Sequence, residues 1–165
     1  MLFRSFLGAV YLIAFASLSI QITGLVGSHG ILPIAIFIPW MSDSVLLVFA
    51  WGGVAASTAV VAGLAYVPVL FVLWLSYLWL TIAGQVFLEF QWDTLLLETG
   101  LLACLYAPLR AARSEPPPIV RRVLWFLAFK LTFLSGITKL LSGDPTWRAW
   151  TALTYHYEKI GRAHV

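Results

Sequence analysis

Charge is what this 165-residue chain has least of: Asp, Glu, Lys and Arg make up 10% of it, against about 25% in an ordinary soluble domain. Ten cations and seven anions leave a net charge of +3, and where so few charges occur their positions matter more than their sum. Asparagine is missing altogether, so no N-glycosylation acceptor exists. A single cysteine, Cys104, excludes an intramolecular disulfide and reads as a small core filler. The three histidines, His29, His156 and His164, show no HxxxH or HExxH spacing, so no metal site is expected. A P-loop, a nucleophile elbow and a GxGxxG turn are also absent. These absences argue against a nucleotide enzyme, a serine hydrolase and a nucleic-acid binder, and no cofactor is expected.

What fills the chain instead is apolar sequence: 61% of residues are hydrophobic and the mean hydropathy is +0.93. The apolar runs are each about 20 residues long, enough at 1.5 Å per residue to cross a hydrocarbon core of roughly 30 Å. They lack the short apolar/polar alternation of barrel strands. The expected fold is therefore all-α, a polytopic membrane bundle of about five transmembrane helices.

The expected spans are residues 6–23, 44–65, 69–88, 94–108 and 123–141, together forming a membrane domain over residues 1–141. Gly24 to Asp43 carries Gly24, Gly27, Gly30, Pro33 and Pro39 and reads as a loop. Within it, ILPIAIFIPW (Ile31 to Trp40) is too short to span and too apolar for open water, which suggests a segment at the interface anchored by Trp40. Spans two and three form a hairpin that turns near Tyr66, Val67 and Pro68. The Gly52/Ala56 and Gly53/Ser57 pairs in WGGVAASTAVVAG offer a small face for close helix packing. Arg110, Arg113, Arg121 and Arg122 mark the loop after span four as cytoplasmic, and Arg4 marks the N-terminus likewise. Four crossings between these two basic segments satisfy parity. The fifth then leaves Ser142 onward outside, so the N-terminus is in and the C-terminus out. Residues 142–158 are the expected start of an outer domain. Ile160 to Val165, IGRAHV, matches one reading frame of a common sequencing adapter, so Lys159 to Val165 is set aside and the natural chain is expected to continue past Glu158.

Four ionisable residues fall in or near the last two spans: Asp93, Glu98, Lys130 and Lys139. A lone charge at the centre of a spanning helix costs roughly 2.5–3.5 kcal/mol on insertion scales, so such groups face protein and find partners. With the two spans antiparallel, Glu98 lies about 7.5 Å deeper than Asp93, and Lys130 about 13.5 Å deeper than Lys139. A lysine side chain covers the remaining gap of about 6 Å. This predicts two depth-matched pairs, Asp93 with Lys139 and Glu98 with Lys130. They either fix helix register or line a polar site that opens outward. Phe90-Gln91-Trp92 reads as a tight outer turn, with Trp92 an interfacial anchor. Asp144-Pro145 reads as a helix cap followed by a first helical residue.

Three blocks resemble the lipase maturation factor family: GSHGILP (Gly27 to Pro33), FQWDTLLLETG (Phe90 to Gly100) with the later Ala107-Pro108, and SGITKLLSGDPTWRAWTALTYHYE (Ser135 to Glu158). The third is the most specific and is similar to a signature of the form SGxxKLxSGDxxWxxLTALxYHYETQPLP. The chain departs from it at Trp150, where the family pattern has leucine, and after Glu158, where TQPLP and a large lumenal domain are expected. The resemblance implies an integral membrane protein that assists secreted lipases in folding and assembly as a chaperone-like factor, not an enzyme. Its expected partners are a secreted lipase or other exported client and the lipid bilayer. It also implies partner contact at Asp144, Trp147, Arg148, Tyr155 and His156. Animal members reside in the endoplasmic reticulum; this chain starts almost directly at its first span, which favours a bacterial inner membrane. A more remote resemblance, to the membrane part of vitamin K-dependent gamma-carboxylase, supplies an alternative: a membrane enzyme or small-molecule handler.

Overall fold

A computed structural model describes residues 2–36, 38, 41–64, 67–106 and 118–154. The chain divides into two compact units, Met1–Arg121 and Arg122–Val165. The long helices are α1 (Leu2–Val26), α2 (Asp43–Val61), α3 (Val67–Gly84), α4 (Gln91–Tyr106) and α5 (Pro118–Leu141), and a single turn of helix, α6 (Pro145–Arg148), follows. Among the described residues no strand occurs. The protein is all-α, and four helices (α1, α2, α3 with its 3-10 extension to Leu88, and α5) are long and apolar enough to cross a membrane. It is an integral multi-pass membrane protein. Helix α4, which lies where the fourth span is expected, has 16 residues, about 24 Å of rise and so shorter than the roughly 30 Å core.

In the first unit α1 packs chiefly on α2, and α3 packs on both α2 and α4. Each helix buries one stripe. On α1 it is Leu7, Tyr11, Phe15, Leu18, Ile22 and Val26; on α2, Leu46, Ala50, Gly53, Ser57 and Val60; on α3, Leu70, Leu73, Tyr77, Leu80 and Ala83. These steps of three and four are the spacing that keeps side chains on one helix face. The α4 stripe has the same period: Asp93, Leu96, Gly100, Ala103. A carboxylate thus stands where the repeat would place an apolar residue.

Close approach depends on the small residues the sequence singled out, but only on one of the two pairs. Gly53 and Ser57 are buried, and a Cβ on Gly53 would overlap the Phe15 ring of α1. Gly52 is exposed with nothing within 4 Å of such a Cβ. The Ser57 hydroxyl donates to the Gly53 carbonyl at 2.7 Å, which satisfies it inside the apolar contact. Two other differences from the sequence expectation stand out. Helix α1 continues through Gly24 to Val26, because a helical glycine costs only about 1 kcal/mol and nothing crowds it there. Gln91 and Trp92 form the first turn of α4 instead of an outer turn, Phe90 alone preceding the helix. The segment at Ile31 to Trp40 buries Ile34 at 2% exposure, so part of it is core; Phe37, Pro39 and Trp40 lie outside the described residues.

The α1–α2 connection is tied at both ends. Asp43 accepts from the Ser28 amide at 2.7 Å and from the Ser28 hydroxyl at 2.8 Å, while its charge sits at the positive N-terminal end of α2. After α2, Gly63 takes φ +102°, a left-handed conformation that glycine adopts without strain, and ends the helix ahead of α3. Cys104 is buried and carries no disulfide.

In the second unit the Asp144 cap and Pro145 start are present. Asp144 Oδ1 accepts from the Thr146 amide at 2.9 Å and the Thr146 hydroxyl at 2.8 Å. These donors hold its carboxyl below the ordinary carboxylate range. The loop residues Arg110 and Arg113 of the parity argument lie outside the described residues, as do Tyr66 of the hairpin turn and Lys159 to Val165.

A buried carboxylate and two tyrosines beside an open groove

The polar centre of the first unit is Asp93. It is 4% exposed, and its Oδ1 accepts from the Tyr77 hydroxyl at 2.6 Å across the α3–α4 contact. That bond is short, as hydroxyl-to-carboxylate bonds are. The other oxygen, Oδ2, is buried and has no hydrogen-bond partner among the described residues. An unpartnered buried acceptor costs roughly 1–3 kcal/mol, and a charged one more.

Two further bonds bring side chains to α4 backbone carbonyls. Tyr11 donates to the Leu96 carbonyl at 3.2 Å, and Trp74 Nε1 to the Leu97 carbonyl at 2.9 Å. Aromatic edges close the cluster: the Tyr77 ring stands edge-on to Tyr11 at 5.6 Å and to Phe15 at 5.4 Å. A Cβ on Gly100 would overlap the Tyr11 hydroxyl, so α1 and α4 approach as closely here as glycine permits. Three helices therefore converge on one polar knot near the start of α4.

Beside the knot lies an open groove of about 420 Å³, bordered by Ser17, Gln21, Tyr77, Phe90, Trp92 and Asp93 among others. Gln21 Nε2 donates to Ser17 Oγ at 3.1 Å. Phe90 and Trp92 stack at 4.8 Å on its rim. Among the described residues no group of three or more His, Cys, Asp or Glu could hold a metal ion.

The residues expected to carry function fall in several places. Asp93 meets Tyr77 within the first unit; Lys139 is exposed, with its Nζ 4.8 Å from the Trp147 ring centroid within the second. That is a cation–π contact. Glu98 and Lys130 are both half-buried on their helices. Asp144 caps α6, Trp147 is half-buried and Arg148 is exposed; Tyr155 and His156 lie outside the described residues. Sequence reasoning missed Tyr11, Tyr77 and Trp74. The signal available was a hydroxyl or indole N–H inside an apolar run, since such groups find a partner when buried.

A family model described as the lipase maturation factor transmembrane domain matches residues 1–42 and 36–161. The chain belongs to the lipase maturation factor family. Human lipase maturation factor 2 is 39% identical to it over 95% of this chain and 28% of the relative. Lipase maturation factor 2 of Xenopus laevis is 40% identical over 92% of this chain and 26% of its own length. Human lipase maturation factor 1 is 30% identical over 92% of this chain and 32% of its own length. The chain thus spans about a third or less of these relatives. No solved structure matches.

Proposed function

We propose that this chain is the membrane part of a factor that helps secreted lipases, or a comparable exported client, to fold and assemble. It acts as a chaperone-like scaffold rather than an enzyme. The observation that carries this reading is the family match along nearly the whole chain, together with relatives named for lipase maturation. In this reading α4 is a short crossing, five crossings hold the N-terminus inside, and residues from Ser142 onward face outward toward the client. Asp144, Trp147, Arg148, Tyr155 and His156 are the proposed contact residues, and Glu98 with Lys130 the proposed pair that fixes helix register. The membrane is the endoplasmic reticulum in an animal cell or the inner membrane in a bacterium.

The test is complementation. Cells lacking their own lipase maturation factor receive the chain fused to the remainder of a relative, and secreted lipase activity is measured per unit of lipase protein. The reading requires restored specific activity, with a loss on replacing Trp147 and Arg148 together while membrane levels hold. Activity unchanged from the empty vector refutes it.

A further inference from the structure

The groove beside Asp93 adjoins a second apolar cavity of about 330 Å³ along α1 and α4, which reaches Phe3, Phe6, Leu7 and Thr99; the two share Val10, Trp92 and Leu96 as walls. Side by side they give a track with a polarity gradient. Gln21 and Ser17, near the end of α1, stand with Asp93 in the first turn of α4 at one end; toward the N-terminus of α1 the walls become apolar. From Gln21 to Leu7 the rise is about 21 Å, close to one leaflet of a bilayer that measures roughly 40 Å with its headgroups.

Among the described residues lining the track, Asp93 carries the one formal charge. Its Oδ1 is satisfied by Tyr77, and its Oδ2 by no group among the described residues. A ligand that completes Oδ2 must donate a hydrogen, and a cationic donor also offsets the buried anion. Lys139, the donor expected from sequence, has the Trp147 ring under its ammonium.

We propose that this track binds an aminophospholipid, with its primary ammonium at Asp93 Oδ2 and one acyl chain running past Val10 and Leu96 toward Leu7. Gln21 and Ser17 border the headgroup end, and the stacked Phe90 and Trp92 rings wall it at the depth where aromatic residues favour the interface. The side chain of Asp93 shifts slightly on binding, since Oδ2 is buried. The inference needs the membrane placement of α1 and α4, not the lipase client, and fails separately from it.

The test is a headgroup series on the full chain. Purified protein is exchanged with phosphatidylethanolamine, its mono- and dimethylated forms and phosphatidylcholine of identical acyl chains, and retained lipid is read by native mass spectrometry. Retention is expected to fall with each N–H removed, phosphatidylethanolamine exceeding phosphatidylcholine by about tenfold, the ratio given by about 1.4 kcal/mol. Equal retention across the series, or none, overturns the proposal. Asp93→Asn should bring the two lipids within about twofold of each other; should that variant not fold, the series on the unaltered chain decides alone. Lys139→Met should leave retention unchanged. A several-fold gain there would mean that the lysine ammonium had filled Oδ2, and would also overturn it.

Discussion

Replacing Tyr77 by Phe removes one oxygen from the centre of the α1–α3–α4 contact and keeps the ring edge-on to Tyr11 and Phe15. The hydroxyl it removes sits 2.6 Å from a buried carboxylate whose other oxygen is already unpartnered. Neutral hydrogen bonds between membrane helices average about 0.6 kcal/mol, because the unfolded chain in lipid finds partners too. A bond to a charged group is worth about 1.5–3 kcal/mol. The buried location and short distance place this bond in the second class, so Tyr77→Phe should cost about 2 kcal/mol. That corresponds to a Tm drop of about 4–8 °C for a chain of this size. Asp93→Leu alone leaves the tyrosine hydroxyl unpartnered but also removes the unpartnered Oδ2, so it should cost less than Tyr77→Phe. The double variant, which removes both polar groups, should be more stable than the sum of the singles by about 1.5 kcal/mol or more. Reversible unfolding in mixed micelles, followed by tryptophan fluorescence, gives all four corners of the cycle. A coupling below about 0.5 kcal/mol refutes the reasoning, since it would put the bond among ordinary neutral contacts.

The glycine contrast is sharper in sign. Gly53→Ala forces a methyl into the Phe15 ring and should cost about 1–3 kcal/mol, whereas Gly52→Ala meets open space and should stabilise α2 by up to about 1 kcal/mol; thermal shifts of the two single variants must differ in direction. The Asp144 cap should respond to acid. Because its carboxyl is held below the ordinary range in the folded chain, the cap is fully present above the unfolded pKa and is lost as pH falls through the lowered value. The amide resonance of Thr146 should report that loss, and Asp144→Asn should abolish the pH dependence while keeping the cap. For the proposed register pair, Glu98→Lys and Lys130→Glu should each lower membrane expression and the swap should restore it; no recovery in the swap eliminates the pairing.

Several features of the site were open to inspection in the sequence. Asp93 stands three residues before Leu96 and seven before Gly100, in step with the buried stripe of α4, and an acid in that register announces a partner inside the protein. Its partner was not legible. Tyr77 lies in WLSYLWL, where every neighbour but Ser76 is apolar, and nothing local separates the face that meets α4 from the face that meets lipid. Gly52 and Gly53 present the same difficulty: both begin a small-residue pair, and only the packing of Phe15 chooses between them.

By itself the sequence determined that this protein is a set of apolar helices in a membrane, with breaks at its Gly and Pro clusters and a capped turn after the last long helix. Those features follow from helix length, backbone conformation and local hydrogen bonding, all of which act within a few residues. The tertiary structure decided which stripe of each helix is buried and that the Tyr77 hydroxyl of α3 meets Asp93 Oδ1. It also decided that Oδ2 is buried without a partner among the described residues, on a side chain that borders a groove. A soluble helix writes its buried face into the pattern of polar and apolar residues, but lipid is as apolar as leucine, so a membrane helix leaves that choice to shape complementarity between neighbours.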